Sequence, residues 1–295
     1  MAWCTIPIKP HPEYSLEWWY QTGVLNDGDY SYELTVFRSK FSKGGWIVHA
    51  MVHDHVEDKR YFSETVLDPS EITLESNGED FTLLYIGDIT LYTVWKPSSI
   101  EIEFESKEFG FHLELKPRKG WVAHGENGIV DMALGKSYYY SLTNVDVTGW
   151  ISIKGERHDI TGKTWIDRQW GNFMPHPWDW FSFRLENGYE LMVFGFPGLG
   201  YYGTVTFPDG TFEHVDNVRV DLKGEYAFDG KHIPIPQPGT VEIPDMKISL
   251  KAMAISKNQF NEAVHTPPYW EGLCRVEGTI GDEFVRGWAF FEGWR

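Results

Sequence analysis

Thr161-Gly162-Lys163-Thr164-Trp165-Ile166-Asp167-Arg168-Gln169-Trp170-Gly171 is the stretch from which the rest of the chain is best interpreted. In an extended strand successive side chains alternate between faces, so Trp165, Asp167 and Gln169 would share one face. Arg168 would then lie on the opposite face, also among large apolar side chains. A carboxylate and a guanidinium are costly to bury in such surroundings unless they are paired or hydrogen-bonded. The stretch is therefore a candidate site, although structural polar contacts at a barrel rim would explain it too.

Short alternating segments separated by turn residues recur along the chain. Asn26-Asp27-Gly28 is typical of a hairpin turn between two strands, and residues 100–105 alternate almost perfectly between apolar and acidic side chains. Ser256 to Val264 is the best helical candidate, and its spacing allows at most a short helix. The predicted strands are 17–23, 30–38, 46–56, 72–74, 81–85, 89–95, 100–105, 109–115, 137–143, 146–153 and 161–171. This pattern predicts an all-β protein built as an antiparallel sandwich or barrel.

The second half of the chain begins and ends like the first. The segment from Trp19-Tyr20 to Phe37 reappears from Trp180-Phe181 to Phe194, and Gly162, Trp165 and Asp167 match Gly287, Phe290 and Glu292 at one constant spacing. We therefore predict two tandem antiparallel β-barrels related by duplication. The predicted boundaries are an N-terminal arm at 1–16, a first barrel at 17–174 and a second at 175–295. A barrel of about eight strands can hold one small ligand.

The charge balance limits the classes of partner that the protein could bind. The 295 residues include 26 basic and 43 acidic residues, a formal net charge of −17, which argues against binding to nucleic acid or an anionic lipid surface. With 14 Trp, 15 Tyr and 19 Phe, the chain suits a hydrophobic small-molecule ligand. No apolar run approaches the roughly 20 residues of a transmembrane segment. The N-terminus lacks a secretory pattern, which predicts a cytoplasmic protein unless a signal has been trimmed. The oligomeric state is left open.

Cysteine and histidine spacing gives little support for a cofactor or metal. Cys4 and Cys274 are too few for a disulfide framework, and whether they pair is left open. His49, His53 and His55 would share a strand face, but without a carboxylate on that face they are a weak metal site. We also find no phosphate-binding loop and no nucleophile elbow. The expectation is therefore no metal and no cofactor.

Several motifs together resemble the carotenoid 1,2-hydratase family, also called hydroxyneurosporene synthases, and its lipocalin-like relatives. The resemblance implies two lipocalin-like domains, a site near their junction, and addition of water to an isoprenoid double bond without an organic cofactor. Relatives on this fold include prenyl-chain hydratases and cyclases that promote Diels–Alder closures. The motifs span nearly the whole chain and are Glu17-Trp18-Trp19-Tyr20 with Gly23, 124–128, Tyr139-Tyr140-Ser141, 162–171, 178–188, Tyr269-Trp270-Glu271-Gly272 and Phe291-Glu292-Gly293.

The resemblance also implies specific site residues. The family's aromatic-x-Asp pair is matched by Trp165 and Asp167, where the hydratases carry Tyr at the aromatic position. Its His-x-Trp pair, on the preceding strand, is placed at Tyr138 and Tyr140. That departure argues against carotenoid hydration itself.

The chemistry of alkene hydration assigns roles to these residues. Asp167 would be the acid, because burial favours the neutral form of a carboxyl group. Trp165, Tyr138 and Tyr140 would stabilise the carbocation through their ring faces within about 6 Å. The competing account is that Asp167 ties the last strand of the first barrel to the linker.

A second set of residues is predicted to bind the substrate: Glu17, Trp19, Arg168, Gln169 and Trp180. Glu17 could instead anchor its strand by hydrogen bonds to backbone, and the tryptophans could serve only in packing. His124 and Glu126 are better explained as turn residues than as catalytic ones.

Three functions remain open from sequence. The first is an enzyme that hydrates or cyclises an apolar unsaturated small molecule such as an isoprenoid, starting from an acid. The second is a non-catalytic carrier of a hydrophobic ligand, which needs only an apolar wall. The third is a pericyclase, in which shape and a hydrogen-bond donor such as Tyr140 or Gln169 replace the strong acid.

Overall fold

The computed structural model describes residues 8–41 and 45–295. These residues form an all-β protein, as predicted, with three short 3-10 helices at Asn26–Gly28, Pro69–Glu71 and Pro244–Met246. Cys4 lies outside the described residues, and so does the question of its pairing with Cys274. Within the described part of the chain, no helix is both long and apolar enough to cross a membrane.

Ser256–Val264, the best helical candidate in the sequence, contains no helix. The segment contains a two-residue strand, Phe260–Asn261, that pairs with Trp270 and Tyr269. The Gln259 side chain donates to the Leu273 carbonyl at 3.1 Å and accepts from the Leu273 amide at 2.8 Å. These bonds hold the segment in an extended conformation beside its partner strand.

The chain divides into two compact units. The first runs to residue 123 and includes 128–130 and 135–173, and the second comprises 124–127, 131–134 and 174–295. The first sheet contains β1 (Leu16–Leu25), β2 (Tyr30–Ser39), β3 (Trp46–Asp54), β4 (Lys59–Leu67), β5 (Ile72–Asn77), β6 (Asp80–Ile86), β7 (Thr90–Lys96), β8 (Ser99–Glu105), β9 (Phe109–Pro117), β10 (Val122–Ala123), β11 (Ile129–Met132), β12 (Gly135–Ile153) and β13 (Glu156–Phe173).

The second sheet follows in the remaining sequence. It contains β14 (Asp179–Leu185), β15 (Glu190–Phe196), β16 (Gly200–Thr206), β17 (Phe212–Phe228), β18 (Lys231–Ile243), β19 (Ile248–Ala254), β20 (Phe260–Asn261), β21 (Tyr269–Ile280) and β22 (Glu283–Gly293).

The two sheets share one antiparallel plan. The order in the first is β4-β3-β2-β1-β13-β12-β9-β8-β7-β6-β5, with β10 and β11 on β12, and this sheet curls around its core. The order in the second is β19-β18-β17-β16-β15-β14-β22-β21-β20, and the additional β19–β21 pairing closes an eight-stranded barrel. The prediction of tandem lipocalin-like barrels is confirmed.

Strand register supports the duplication. Gly162 lies opposite Leu25, and Gly287 lies opposite Leu185. A Cβ atom at either glycine would come within 2.1 Å of a carbonyl oxygen on the neighbouring strand, so both sites require close backbone approach. Leu25 and Leu185 are therefore equivalent positions in the two sheets. Counting back from them along the strands, Trp180 is equivalent to Tyr20 and not to Trp19.

One part of the first sheet is buried on both faces. Strands β6 and β7 alternate between buried and half-buried positions, whereas β1, β2 and β3 are buried along nearly their whole length. The hydrophobic core includes Trp19, Val36 and Ile166 on one face. Asp167 follows Ile166 along β13 and therefore lies on the other face. The candidate acid is thus buried, but outside the core of its unit.

Candidate active site

Three hydrogen-bonding side chains surround the candidate acid. Asp167 lies opposite Ser141 on β12 and Tyr20 on β1. The Tyr139 hydroxyl donates to Asp167 Oδ2 at 2.7 Å, the Trp165 indole Nε1 donates to Oδ1 at 2.6 Å, and the Ser141 hydroxyl also donates to Oδ1. We call Asp167, Trp165, Tyr139 and Ser141 the Asp167 cluster. All four side chains are buried, and none of the three donors carries a formal charge.

The electrostatics of this cluster favour a protonated carboxyl group. Burial raises the pKa of Asp167 to about 7, although the hydrogen bonds from Ser141, Tyr139 and Trp165 oppose the rise. No lysine, arginine or histidine among residues 8–41 and 45–295 forms an ion pair with Asp167. Near neutral pH the group can therefore exist as a neutral acid and still ionise. That is the behaviour a general acid needs.

The opposite face of β13 carries the contrasting arrangement. The Glu17 carboxylate accepts hydrogen bonds from Arg168 Nη2, from Arg38 Nε at 2.9 Å, and from the His11 amide at 2.9 and 3.0 Å. His11 Nδ1 lies 2.8 Å from the same carboxylate. We call these four residues the Glu17 cluster. The Arg168 guanidinium also lies over the Trp19 ring, 3.9 Å from its centroid.

Glu17 and Arg168 are both ionised. Burial would raise the pKa of Glu17, but the hydrogen bond from His11 and the charge of Arg168 outweigh it and lower that pKa to about 2. Burial lowers the pKa of Arg168 to about 10, which leaves it protonated, and Glu17 opposes that shift. The buried pair is thus a fixed salt bridge that ties residues before β1 to the sheet. This geometry favours the anchoring role of Glu17.

The predicted substrate-binding residues divide between the faces. Glu17, Trp19 and Arg168 lie on the face away from Asp167, so the structure does not bring them to the acid. Gln169 lies on the Asp167 face, opposite Tyr139 and only 5% exposed. Trp180 belongs to the second unit, where it lies opposite Glu292.

The predicted tyrosine pair must be corrected by one residue. Tyr138 and Tyr140 lie on the face away from Asp167, where both stack on Trp170 with ring centroids 5.3 and 5.6 Å apart. The residues that reach Asp167 are Tyr139 and Ser141. The sequence placement missed both of these residues.

A β-bulge causes this shift. From the Lys154-Gly155 turn, β12 and β13 pair in one register as far as Val145 opposite Thr164. The register then slips by one residue between Leu142 and Val145. Because side chains alternate with a period of two, a slip of one residue exchanges the faces of β12. Without the bulge, the two predicted tyrosines would face Asp167.

Each of the three histidines singled out in the sequence has its own polar neighbour. His49 Nε2 lies 3.0 Å from Glu64 Oε1, His53 Nε2 lies 3.1 Å from Asp58 Oδ1, and His55 Nε2 lies 2.8 Å from the Ser31 hydroxyl. In the described part of the chain, no group of three or more His, Cys, Asp or Glu side chains is arranged to hold a metal ion.

His124 is a buried residue and not the turn-stabilising residue predicted from the sequence. The side chain is fully buried in the second unit, and Nδ1 lies 2.9 Å from the Thr204 hydroxyl. His214 Nδ1 lies 3.2 Å from the same hydroxyl. Burial lowers the pKa of His124 to about 3, so this imidazole is neutral near pH 7.

Comparisons with known structures identify related folds. A Nitrosomonas europaea protein described as an AttH superposes with a TM-score of 0.78 and 21% identity, covering 98% of each chain. Kievitone hydratase from Nectria haematococca gives a TM-score of 0.74 and 16% identity, covering 100% of this chain and 92% of the hydratase. CghA gives a TM-score of 0.69 and 11% identity, with 96% and 88% covered. At these identities the likeness establishes the fold alone.

The family assignment rests on the sequence. No curated protein matches the chain. The family model described as AttH-like matches residues 5–292, nearly the full length. The tandem lipocalin-like relationship expected from the motifs is confirmed. The chain belongs to the AttH-like family.

Proposed function

We propose that this protein is an enzyme that protonates a double bond of an apolar, unsaturated small molecule, with Asp167 as the acid, and so hydrates or cyclises it. The observation that carries the proposal is the environment of Asp167: buried, without an ion-pair partner in the described chain, and with a pKa of about 7. A carboxyl group with an ordinary pKa would be almost fully ionised at neutral pH and unable to donate a proton.

The Asp167 cluster is suited to the protonated acid before proton transfer and to the carboxylate after it. Burial keeps Asp167 protonated before reaction. When the proton moves to the alkene carbon, the hydroxyls of Tyr139 and Ser141 and the Trp165 indole already point at the carboxylate that remains. Preorganised donors aimed at a developing charge stabilise the transition state more than the ground state. The Trp165 ring, beside the acid, is the aromatic surface best placed to stabilise a tertiary carbocation.

Charge and fold support the proposed substrate class. A net charge of −17 and a high aromatic content favour an uncharged, apolar substrate over a polyanion. The fold is shared with a kievitone hydratase, which makes hydration of kievitone a suitable first case. A carrier would gain nothing from a buried carboxyl group, since desolvating it costs free energy that an apolar side chain would not.

The proposal is tested by incubating the purified protein with kievitone and with 4-prenylphenol, a phenol that bears one trisubstituted double bond. We expect a product that has gained one molecule of water, or an isomer if the cation is captured within the molecule, detected by mass spectrometry. Asp167→Asn should lower the rate about 100-fold or more, the usual contribution of a general acid. Turnover that survives this substitution would contradict the acid assignment. Recovery of unchanged ligand bound to both proteins would indicate a carrier.

A further inference from the structure

Thr22 is a buried hydroxyl-bearing residue on the same face of the first sheet as Asp167. Backbone pairing places Tyr20 opposite Asp167 and Thr22 opposite Trp165. Directly opposed residues share one face of a sheet, so Thr22 is the diagonal neighbour of Asp167 across β1 and β13. Side chains in that relation lie about 7–8 Å apart. Thr22 is therefore close both to the acid and to the Trp165 side chain.

The hydroxyl of Thr22 differs from the other hydroxyls around the acid. Thr22 is 0% exposed, and its Oγ1 atom forms no hydrogen bond with any of the described residues. The Tyr139 and Ser141 hydroxyls, by contrast, both donate to the carboxyl group of Asp167. Burying a hydroxyl without a partner is costly, and the great majority of buried polar groups bind either protein or an ordered water. The Thr22 hydroxyl therefore suits a water or ligand that arrives at this site.

The hydrogen bonds to Asp167 leave the side of the carboxyl group toward β1 without a donor. Its three donors, Tyr139, Ser141 and Trp165, lie on β12 and on β13 itself. Among the described residues, none on β1 donates a side-chain hydrogen bond to this group. The two oxygens of a carboxylate offer about four acceptor positions, so three donors leave one position for a further partner. A water molecule between Asp167 and Thr22 would use that position.

We propose that Thr22 positions the water molecule that captures the carbocation. The inference rests on the proposed function of Asp167 as the acid. Thr22 Oγ1 accepts a hydrogen bond from one O–H of this water, and the other O–H points to the Asp167 carboxylate. One water with two hydrogen bonds of about 2.8 Å is long enough to join the two side chains. Its lone pairs then face the cationic carbon beside the Trp165 ring.

The proposed step conserves atoms and charge. Asp167 transfers its proton to the less substituted alkene carbon, which leaves a tertiary cation and a carboxylate. The oxygen of the positioned water then bonds to the cation, and the O–H bond that points to Asp167 breaks as its proton passes to the carboxylate. The acid is thereby restored without a second base. The net reaction is alkene plus water to alcohol, with no other reagent.

Deuterium exchange separates formation of the cation from its capture by water. In D2O, reversible protonation by Asp167 introduces deuterium into recovered 4-prenylphenol, whereas alcohol formation also requires the positioned water. Thr22→Val removes the hydroxyl and nearly keeps the shape of the side chain. We expect it to lower the ratio of alcohol formed to deuterium incorporated about 10-fold, the effect of losing one hydrogen bond. Thr22→Ser keeps the hydroxyl and should keep the ratio of the unaltered protein.

Thr35→Val is the matched control. Thr35 lies on the same face, opposite Tyr20 on β2, is 2% exposed, and donates its hydroxyl to Glu33 Oε1 at 3.0 Å. Loss of that bond should lower the denaturant midpoint of unfolding and leave the ratio of alcohol to deuterium unchanged. Thr22→Val should not lower the midpoint, because its hydroxyl has no partner in the described chain to lose.

A purely structural role for the Thr22 hydroxyl would give a different result. If it bonds in solution to Glu33, which lies opposite it on β2, Thr22→Val would lower the unfolding midpoint and leave the ratio unchanged. That result overturns the water assignment alone, because continued deuterium exchange shows that the acid still works. Exchange without alcohol in the unaltered protein also overturns it. If the unaltered protein gives neither exchange nor alcohol, the acid proposal fails and the water assignment fails with it.

Discussion

Asp167 and Arg168 are adjacent in sequence, both fully buried, and electrostatically opposite. Arg168 meets the Glu17 carboxylate and remains charged, with Trp19 stacked on its guanidinium. Among the described residues Asp167 meets only neutral donors, and burial raises its pKa to about 7. One strand therefore carries a permanent charge on one face and a group able to change its charge on the other.

This difference separates a structural role from a catalytic one. A buried ion pair is held in a single protonation state over the ordinary pH range, so it can hold chain segments together but cannot exchange protons. A buried acid without a counterion sits close to its own titration point, which is costly to the fold and useful for proton transfer. Substitutions that alter one face at a time separate the two roles.

The largest effect is expected from removing the fixed charge. Glu17→Gln leaves Arg168 and Arg38 without their shared counterion in the interior, so it should lower the free energy of unfolding by about 3–5 kcal/mol. Denaturant unfolding at pH 7 measures this change. A loss below about 1 kcal/mol would mean that the Glu17 cluster does not hold the sheet together.

The pH dependence of stability should reveal the raised pKa of Asp167. Because the folded-state pKa of Asp167 lies above its unfolded value, the folded protein binds the extra proton between about pH 4 and 7. Stability conferred by that proton is present below pH 4 and is lost as the pH rises to 7. The unfolding free energy of the unaltered protein, minus that of Asp167→Asn, should fall by about 1.4 kcal/mol per pH unit across this range. A difference that does not change with pH would show that Asp167 is ionised throughout.

The smallest effect is expected from substitutions at two neighbouring tyrosines. Tyr139→Phe removes a donor that stabilises ionised Asp167, so its pKa should rise and the alkaline limit of activity should move up by roughly one pH unit, since one unit corresponds to 1.36 kcal/mol. Tyr140→Phe is the matched control on the opposite face and should leave that limit unchanged. If Tyr140→Phe shifts the profile and Tyr139→Phe does not, the register derived from the β-bulge is wrong.

Much of the architecture could be predicted because it depends on local patterns. Alternation separated Asp167 from Arg168, and the repeated glycine, aromatic and acidic positions revealed the duplication. Strand β4 (Lys59–Leu67) was missed because most of its residues are half-buried, without a clear period of two. That omission concealed Glu64, the partner of His49.

The candidate site could be predicted only in part, because it depends on register between distant strands. One bulge residue between Leu142 and Val145 exchanges the faces of β12, and nothing in the local sequence requires it. The partners of Glu17 come from β2, from β13 and from the segment before β1, and their convergence follows from strand order. Tyr139 and Ser141 become recognisable only when strand pairing is known.

The protonation state of Asp167 is the central claim, and infrared spectroscopy measures it directly. The C=O stretch of a protonated carboxyl group, identified as the band lost in Asp167→Asn, can be followed through a pH titration. The account predicts a buried acid band that disappears with a midpoint near pH 7. A midpoint near or below pH 4 would mean that Asp167 is an ordinary carboxylate and not the acid.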